Sequence, residues 1–311
     1  MCYSAQAWQD YRKYKRKFGA TLGIAEYVRL FRQWQSGAET PKFPKALLDA
    51  FADASRGDEA RIRHWIEGWK AGQISAVEQE LFALKKRLAD AERALQTKIT
   101  KKAQNDQRIA ADKIGKASLR LKDLHRRAPL PRDSRFFPGN YATVMVAEGG
   151  KRVVYPMRYG CRPAGKPAFY DTRYPGTYNA RRDNLEGFWK GQFGHTHALI
   201  VIETFYENVE GKDGKNQVLQ FTPRNGGTMY VPCLFSHWTH PKGLEPELWS
   251  FAAITDDPEP EVAAAGHDRT IINIKPEHID AWLNPDPANL QGLYAIFDDR
   301  QHPYYEHREA A

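Results

Sequence analysis

Cysteine is scarce in this chain, with three residues in 311: Cys2, Cys161 and Cys233. No two of them form a CxxC pair, and the odd count argues against both a structural zinc site and a disulfide framework. Long apolar runs are missing too. No stretch approaches the roughly 18 apolar residues of a membrane span, and the opening MCYSAQAWQDYRKYKRKF lacks the apolar core of a signal peptide. A protein of the reducing cytoplasm, nucleoid-associated and without a membrane partner, is expected. There is no internal repeat, and neither a metal nor an organic cofactor is expected.

Charge is unevenly placed. Residues 85–127 hold 14 Lys and Arg against 5 Asp and Glu, a net +9 compared with +8 for the whole chain. Basicity therefore belongs to one segment, and a nucleic-acid role for the remainder must rest on individual arginines. The length suffices for one large core or two ordinary ones.

Periodicity divides the chain. Tyr27, Val28, Phe31 and Trp34 recur at spacings of three and four, as do Ile62, Trp65, Ile66 and Trp69, which predicts helices. Leu81, Leu84, Leu88, Ala91 and Leu95 step 3-4-3-4, a coiled-coil-like seam that decays at Lys98 and Lys102. Pro129 and Pro131 end this region. Beyond them come short β-branched and aromatic runs cut by turns: YATVMVAE, KRVVYPMRYG, HALIVIETFYE, NQVLQFTP, TMYVPCLF and LWSFAAIT. Short helices are expected near Leu185–Lys190, over PEHIDAWL and over PANLQGLY. The expectation is an α+β protein: an N-terminal segment 1–4, a helical basic insertion over 5–128, and a mostly antiparallel sheet core over 129–311.

Cys2 stands directly behind Met1. Removal of that methionine exposes an α-amine and a thiol on one residue, and such a 1,2-aminothiol condenses with aldehydes. The amine forms an imine, and the thiol closes a five-membered thiazolidine with the advantage of an intramolecular reaction. Cysteine at position 2 also occurs by chance, so its meaning depends on what accompanies it.

Four patterns accompany it in order: FFPGNY at 136–141, YNARRDN at 178–184, ETFYEN at 203–208 and AGHDRTIINIKPEHIDAWL at 265–283. Together with MC at the start, this order resembles the SRAP family, the SOS response-associated peptidase-like proteins that shield abasic sites in single-stranded DNA. The resemblance covers residues 1–4 and about 130–300. It implies an SRAP-like core in which Cys2 is the crosslinking nucleophile, Asn179 orients it, Glu207 is the acid/base and His267 assists proton transfer. It also implies DNA contacts from Arg181 and Arg269, base stacking by Tyr159, shaping of the DNA path by Pro138 and a backbone contact from Thr255. The sequence departs from the family where MCYS replaces Met-Cys-Gly-Arg, where Asn208 follows the glutamate in place of Trp, and where YGCRPAG replaces a WGLIPSW-like stretch.

The residue chemistry suits these roles. An abasic sugar is mostly a closed hemiacetal, and a carboxylic acid of raised pKa can protonate its ring oxygen and release the aldehyde. Histidine titrates near neutrality, and arginine offers forked donors to phosphate. Without the motif order, Glu207 reads as a solvated turn residue, His267 as a loop residue and Asn179 as a cap. Two other functions fit the same residues: a cysteine peptidase or amidohydrolase using Cys2, Glu207 and His267, and a non-catalytic binding module whose basic helix meets nucleic acid or a protein partner.

Overall fold

The computed structural model describes residues 3–37, 41–211 and 213–310. Among the described residues twelve strands make one sheet system: β1 (Ser4–Ala7), β2 (Thr21–Leu22), β3 (Arg135–Phe136), β4 (Tyr141–Glu148), β5 (Lys151–Tyr159), β6 (Asn179–Arg181), β7 (His197–Glu210), β8 (Asn216–Pro223), β9 (Met229–Trp238), β10 (Leu248–Asp256), β11 (Thr270–Ile271) and β12 (Tyr305–Glu309). Five of them close a ring. β4 pairs with β5 and with β7, β7 with β9, β9 with β10, all antiparallel, and β10 returns to β5 in parallel, with Phe251 opposite Tyr159. Closure leaves the barrel interior to apolar side chains, among them Val144, Met157, Ile200, Phe205, Phe221 and Phe251.

The β4–β5 hairpin shows how local chemistry sets this register. Glu148 faces Lys151 across a two-residue loop of Gly149 and Gly150, both at positive φ (56° and 73°), which is the type I′ geometry that matches strand twist. Strand β7 is the spine. Its first half pairs with β9, its middle with β1 and its end with β8, so whatever lies near residues 205–207 is flanked on both edges by other strands.

The chain forms two compact units, Met1–Ala54 with Leu130–Ala311, and Ser55–Pro129. Residues 5–54, expected within the insertion, therefore belong to the core. Helices α1 (Tyr11–Phe18), α2 (Ile24–Ser36) and α3 (Lys45–Asp49) bury Tyr14, Tyr27, Leu30, Phe31 and Leu47. The Tyr14 hydroxyl donates to the Thr143 carbonyl (3.1 Å) and accepts from the Val201 N–H (3.1 Å), tying α1 to β4 and β7. Helical spacing was readable in the sequence, but these partners lie more than a hundred residues away. The four-residue strand β1 is too short to show a period.

The second unit is an antiparallel helical hairpin of α4 (Gly57–Thr97) and α5 (Lys101–His125). The Thr100 hydroxyl caps α5 by accepting from the Ala103 N–H (3.2 Å). Val77, Leu81, Leu84 and Ala91 are buried on α4; on α5 the buried residues are Ala103, Ala110 and Ala117, spaced seven apart. Such small residues let two helices approach closely. Arg87 pairs with Asp106 and Arg120 with Glu80 across the hairpin. The expected helix at Leu185–Lys190 is instead a run of turns behind a short 3-10 segment, Arg182–Asn184.

Candidate active site

Glu207 does not end its strand. β7 continues to Glu210, and alternation puts Glu207 on the same face as Phe205 and Val209, both buried. Its carboxyl is 0% exposed, so burial pushes its pKa well above the ordinary carboxylate range, and the backbone N–H of Tyr3 acts in the opposite direction. The solvated-turn reading is therefore wrong for this residue.

His267 meets it. Its Nε2 lies 3.3 Å from Glu207 Oε2. The loop that carries it turns at Gly266, whose φ of +91° is open to glycine and strained for other residues, and the His267 N–H is held by the Val262 carbonyl (3.2 Å). Nδ1 lies 2.9 Å from the Arg269 carbonyl and 3.3 Å from the Arg269 N–H, so the Arg269 backbone anchors the ring and turns Nε2 toward Glu207. Burial lowers the His267 pKa. Both shifts favour the uncharged forms, which biases the pair toward a carboxylic acid facing a neutral imidazole.

Strand β6 carries Asn179 and Arg181. It lies parallel to β10, with Asn179 opposite Ala253 and Arg181 opposite Thr255. Asn179 is a strand residue and not a helix cap. It is 6% exposed, its Oδ1 accepts from the Tyr159 hydroxyl (3.3 Å), and its Nδ2 has no hydrogen-bond acceptor among the described residues. Tyr159 itself is 1% exposed and packed among Phe136, Tyr178 and Phe251, so it offers no face to a base; it orients Asn179 instead. Thr255 is likewise fully buried and unable to touch a nucleic-acid backbone. A parallel pairing with β6 and an antiparallel one with β11 enclose it, a tertiary arrangement that no local pattern reveals.

The arginines are not free surface charges. Arg181 donates to both carboxylate oxygens of Asp183 (3.1 and 2.6 Å), and Arg269 reaches the same carboxylate at 3.8 Å. Arg181, ahead of Arg269, lowers the Asp183 pKa. Asp183 thus bridges the two, and its place in YNARRDN gave no hint of this. Arg182 is committed to Asp256 and Asp298. Pro138 is half-buried in the turn between β3 and β4, next to Phe137, which packs edge-on against Tyr3 at 5.7 Å.

Tyr3 lies beside Glu207. Its N–H donates to the Tyr206 carbonyl (3.2 Å), and Ser4 stands opposite Tyr206 in the β1–β7 ladder. Ser4 accepts from Arg135 Nε at 3.1 Å, while the Arg135 guanidinium lies 3.5 Å from the centre of the Tyr206 ring. A cation therefore stands at the position-4 side chain although residue 4 is serine, contributed by a strand 131 positions away in sequence. Cys2 lies outside the described residues. Cys161 and Cys233 are buried free thiols whose pKa values burial pushes up, the first to about 12. Among the described residues no group of three or more His, Cys, Asp or Glu could hold a metal ion, and no helix is long and apolar enough to cross a membrane.

An α+β fold around a closed five-stranded barrel, with a buried acid–imidazole pair beside Tyr3, is the class of protein these features define. The chain belongs to the SOS response associated peptidase (SRAP) family, whose model matches residues 100–307. Similar solved structures include a protein from Bordetella bronchiseptica (17% identity, TM-score 0.47, covering 59% of this chain and 89% of that one). Another is from Bacteroides thetaiotaomicron (13% identity, TM-score 0.47, 57% and 78%). A third is a phage-related protein from Bordetella bronchiseptica (19% identity, TM-score 0.42, 60% and 85%). No curated protein sequence matches the chain.

Proposed function

We propose that the protein, once Met1 is removed, captures abasic sites in single-stranded DNA through a thiazolidine on Cys2. The observation that carries this reading is the buried Glu207–His267 pair beside the Tyr3 N–H.

Each step has a group to serve it. Glu207, whose burial favours the protonated form, gives its proton to the hemiacetal ring oxygen as the ring opens, and the aldehyde is released. The Cys2 amine adds to the aldehyde carbon, and water leaves to give an iminium. The thiolate sulfur then bonds to that carbon, the π electrons return to nitrogen, and the ring closes with one water lost overall. His267 Nε2 takes and returns the proton that Glu207 handles, and Asn179 holds the amine or the adduct without competing for a proton. Arg181 and Arg269 bind phosphate after exchanging Asp183 for it. Pro138, in the turn beside Phe137, limits the path of the strand.

A denaturing gel of Met1-processed protein with abasic single-stranded DNA tests this. A shifted band that disappears in Cys2→Ala supports the reading, and an equally abundant, heat-stable band in Cys2→Ala overturns it.

A further inference from the structure

The loop that presents His267 is tied into one piece. The Glu259 N–H donates to the Thr270 hydroxyl (3.0 Å), which joins the loop's two ends. Between them the Val262 and Ala263 N–H groups both donate to the Glu259 carbonyl (2.9 Å each), opening the short helix Pro260–Ala264. Such a piece moves as a unit, so the stance of His267 toward Glu207 depends on what holds the helix from outside. Val262 holds it by burial in the core, but apolar contact is non-directional and leaves the helix free to turn about its axis.

The directional contacts come from residues 300–305. Arg300 donates to Asp256 (2.5 Å), and its Nε lies 3.1 Å from Glu259 Oε1. His302 stands between the two glutamates that flank Pro260, with Nε2 2.9 Å from Glu261 Oε2 and Nδ1 3.7 Å from Glu259 Oε2. This segment is stiff. Pro303 favours an extended backbone at His302. Tyr304 takes a φ of +52°, a conformation that persists in a non-glycine residue only where the surroundings impose it. Its carbonyl accepts from the Arg224 N–H (3.0 Å), and its ring stacks on the His302 imidazole with centres 4.4 Å apart.

We infer that His302 is a positioning residue for the acid–imidazole pair: by holding Glu261 it sets the angle at which the loop 259–270 offers His267 to Glu207. The inference rests on the capture reading above and deepens it by naming, outside the site, the group that aims one of its members. Burial raises the Glu261 pKa, its own backbone N–H and then His302 lower it, and the net lowering keeps the carboxylate ionised and ready to accept. A partly exposed pair of this kind adds little to global stability. Its loss should therefore leave the fold standing and displace His267, and a shift of about 1 Å can cost about 100-fold in rate.

The test uses the full-length protein and two readouts. The first, independent of DNA, is the Nε2 nitrogen resonance of His267 in isotope-labelled protein, assigned by its loss in His267→Gln. His302→Ala should move it toward its position in Glu207→Ala. Glu261→Ala cuts the same contact from the other end and should do likewise, with no further movement in the double variant. His302→Gln, whose amide can still donate to Glu261, should hold the wild-type position. The second readout is single-turnover capture of an abasic single strand at saturation. It should slow by about 10- to 100-fold in the alanine variants and recover in His302→Gln. Affinity for a strand holding tetrahydrofuran, an abasic analogue with no aldehyde, should stay unchanged. Folded alanine variants with the wild-type resonance overturn the inference, as do unfolding of both and a rate loss matched by lost affinity for the analogue. A resonance that moves in a protein whose wild type forms no adduct leaves the positioning role and sinks the capture reading. An adduct in wild type with an unmoved resonance in the variants does the reverse.

Discussion

Glu207 Oε2 and His267 Nε2 lie 3.3 Å apart in surroundings that leave the carboxyl fully buried. Two opposite charges placed there would have lost their hydration, and the neutral acid with the neutral imidazole avoids that cost. Burial consequently biases the pair toward a loaded proton donor, which is what opening a hemiacetal requires.

Glu207→Gln keeps the shape and removes the transferable proton. Single-turnover capture of abasic single strands is expected to slow by about 100- to 10,000-fold, with binding of a tetrahydrofuran strand essentially unchanged. A variant that captures at the wild-type rate takes Glu207 out of the mechanism.

The same burial has a signature in stability. An acid whose pKa is raised in the folded state contributes most at low pH, and that contribution is lost as pH rises from 4.5 through the folded value. His267, lowered from 6.5, acts in the other direction: its stabilisation is present above 6.5 and lost as pH falls toward its folded value. Urea unfolding between pH 4 and pH 8 should show wild type losing stability as pH rises above 4.5 relative to Glu207→Gln. Parallel curves for the two proteins contradict the assignment.

His197 gives a second pH-dependent stability. Its ring stacks on Trp282 at 3.8 Å, Nδ1 donates to the Trp282 carbonyl (2.9 Å), and Nε2 accepts from the Gly194 N–H (2.8 Å). Burial lowers its pKa to about 3. Its contribution is thus full above pH 6.5 and drains away between 6.5 and about 3, on the order of 5 kcal/mol in total. His197→Gln should flatten this acid limb while weakening the protein at pH 7. An unchanged limb means that other groups govern acid unfolding.

Much of this was legible in the sequence, for identifiable reasons. Runs such as YATVMVAE and KRVVYPMRYG became β4 and β5 because they are rich in β-branched and aromatic residues and the turn between them is Gly-Gly; β4 is buried on both faces from Tyr141 to Val146. Asn179, Glu207 and His267 were singled out through short motifs in a fixed order, and the structure puts Glu207 and His267 side by side. What escaped is tertiary. TFYENVEGK reads as a strand running into a polar turn, yet β8 on one edge prolongs it to Glu210 and buries the carboxylate. Tyr159 looks like a stacking residue until Phe136, Tyr178 and Phe251 enclose it. The alanines 103, 110 and 117 have too little hydrophobicity to stand out beside the leucines of α4, although their spacing of seven was in the sequence.

The hairpin of α4 and α5 is expected to add general DNA affinity without chemistry. The segment α3 contacts the short 3-10 turn Pro131–Ser134, so a short linker can replace Ser55–Pro129 within the core unit. The shortened protein should still capture abasic DNA at saturation, but bind more weakly and with a flatter salt dependence, by about 0.7 in log–log slope per lost phosphate contact. An unchanged slope assigns the hairpin to a protein partner or to stability.

The central claim is that the α-amine and thiol of Cys2 together form the adduct, and peptide mapping of the captured protein tests it most directly. After nuclease trimming and trypsin digestion, mass spectrometry should find the N-terminal peptide beginning at Cys2, without Met1, carrying the sugar remnant with one water lost and with no reducing agent needed to preserve it. A remnant on a lysine peptide, or on a peptide that still carries Met1, contradicts the account.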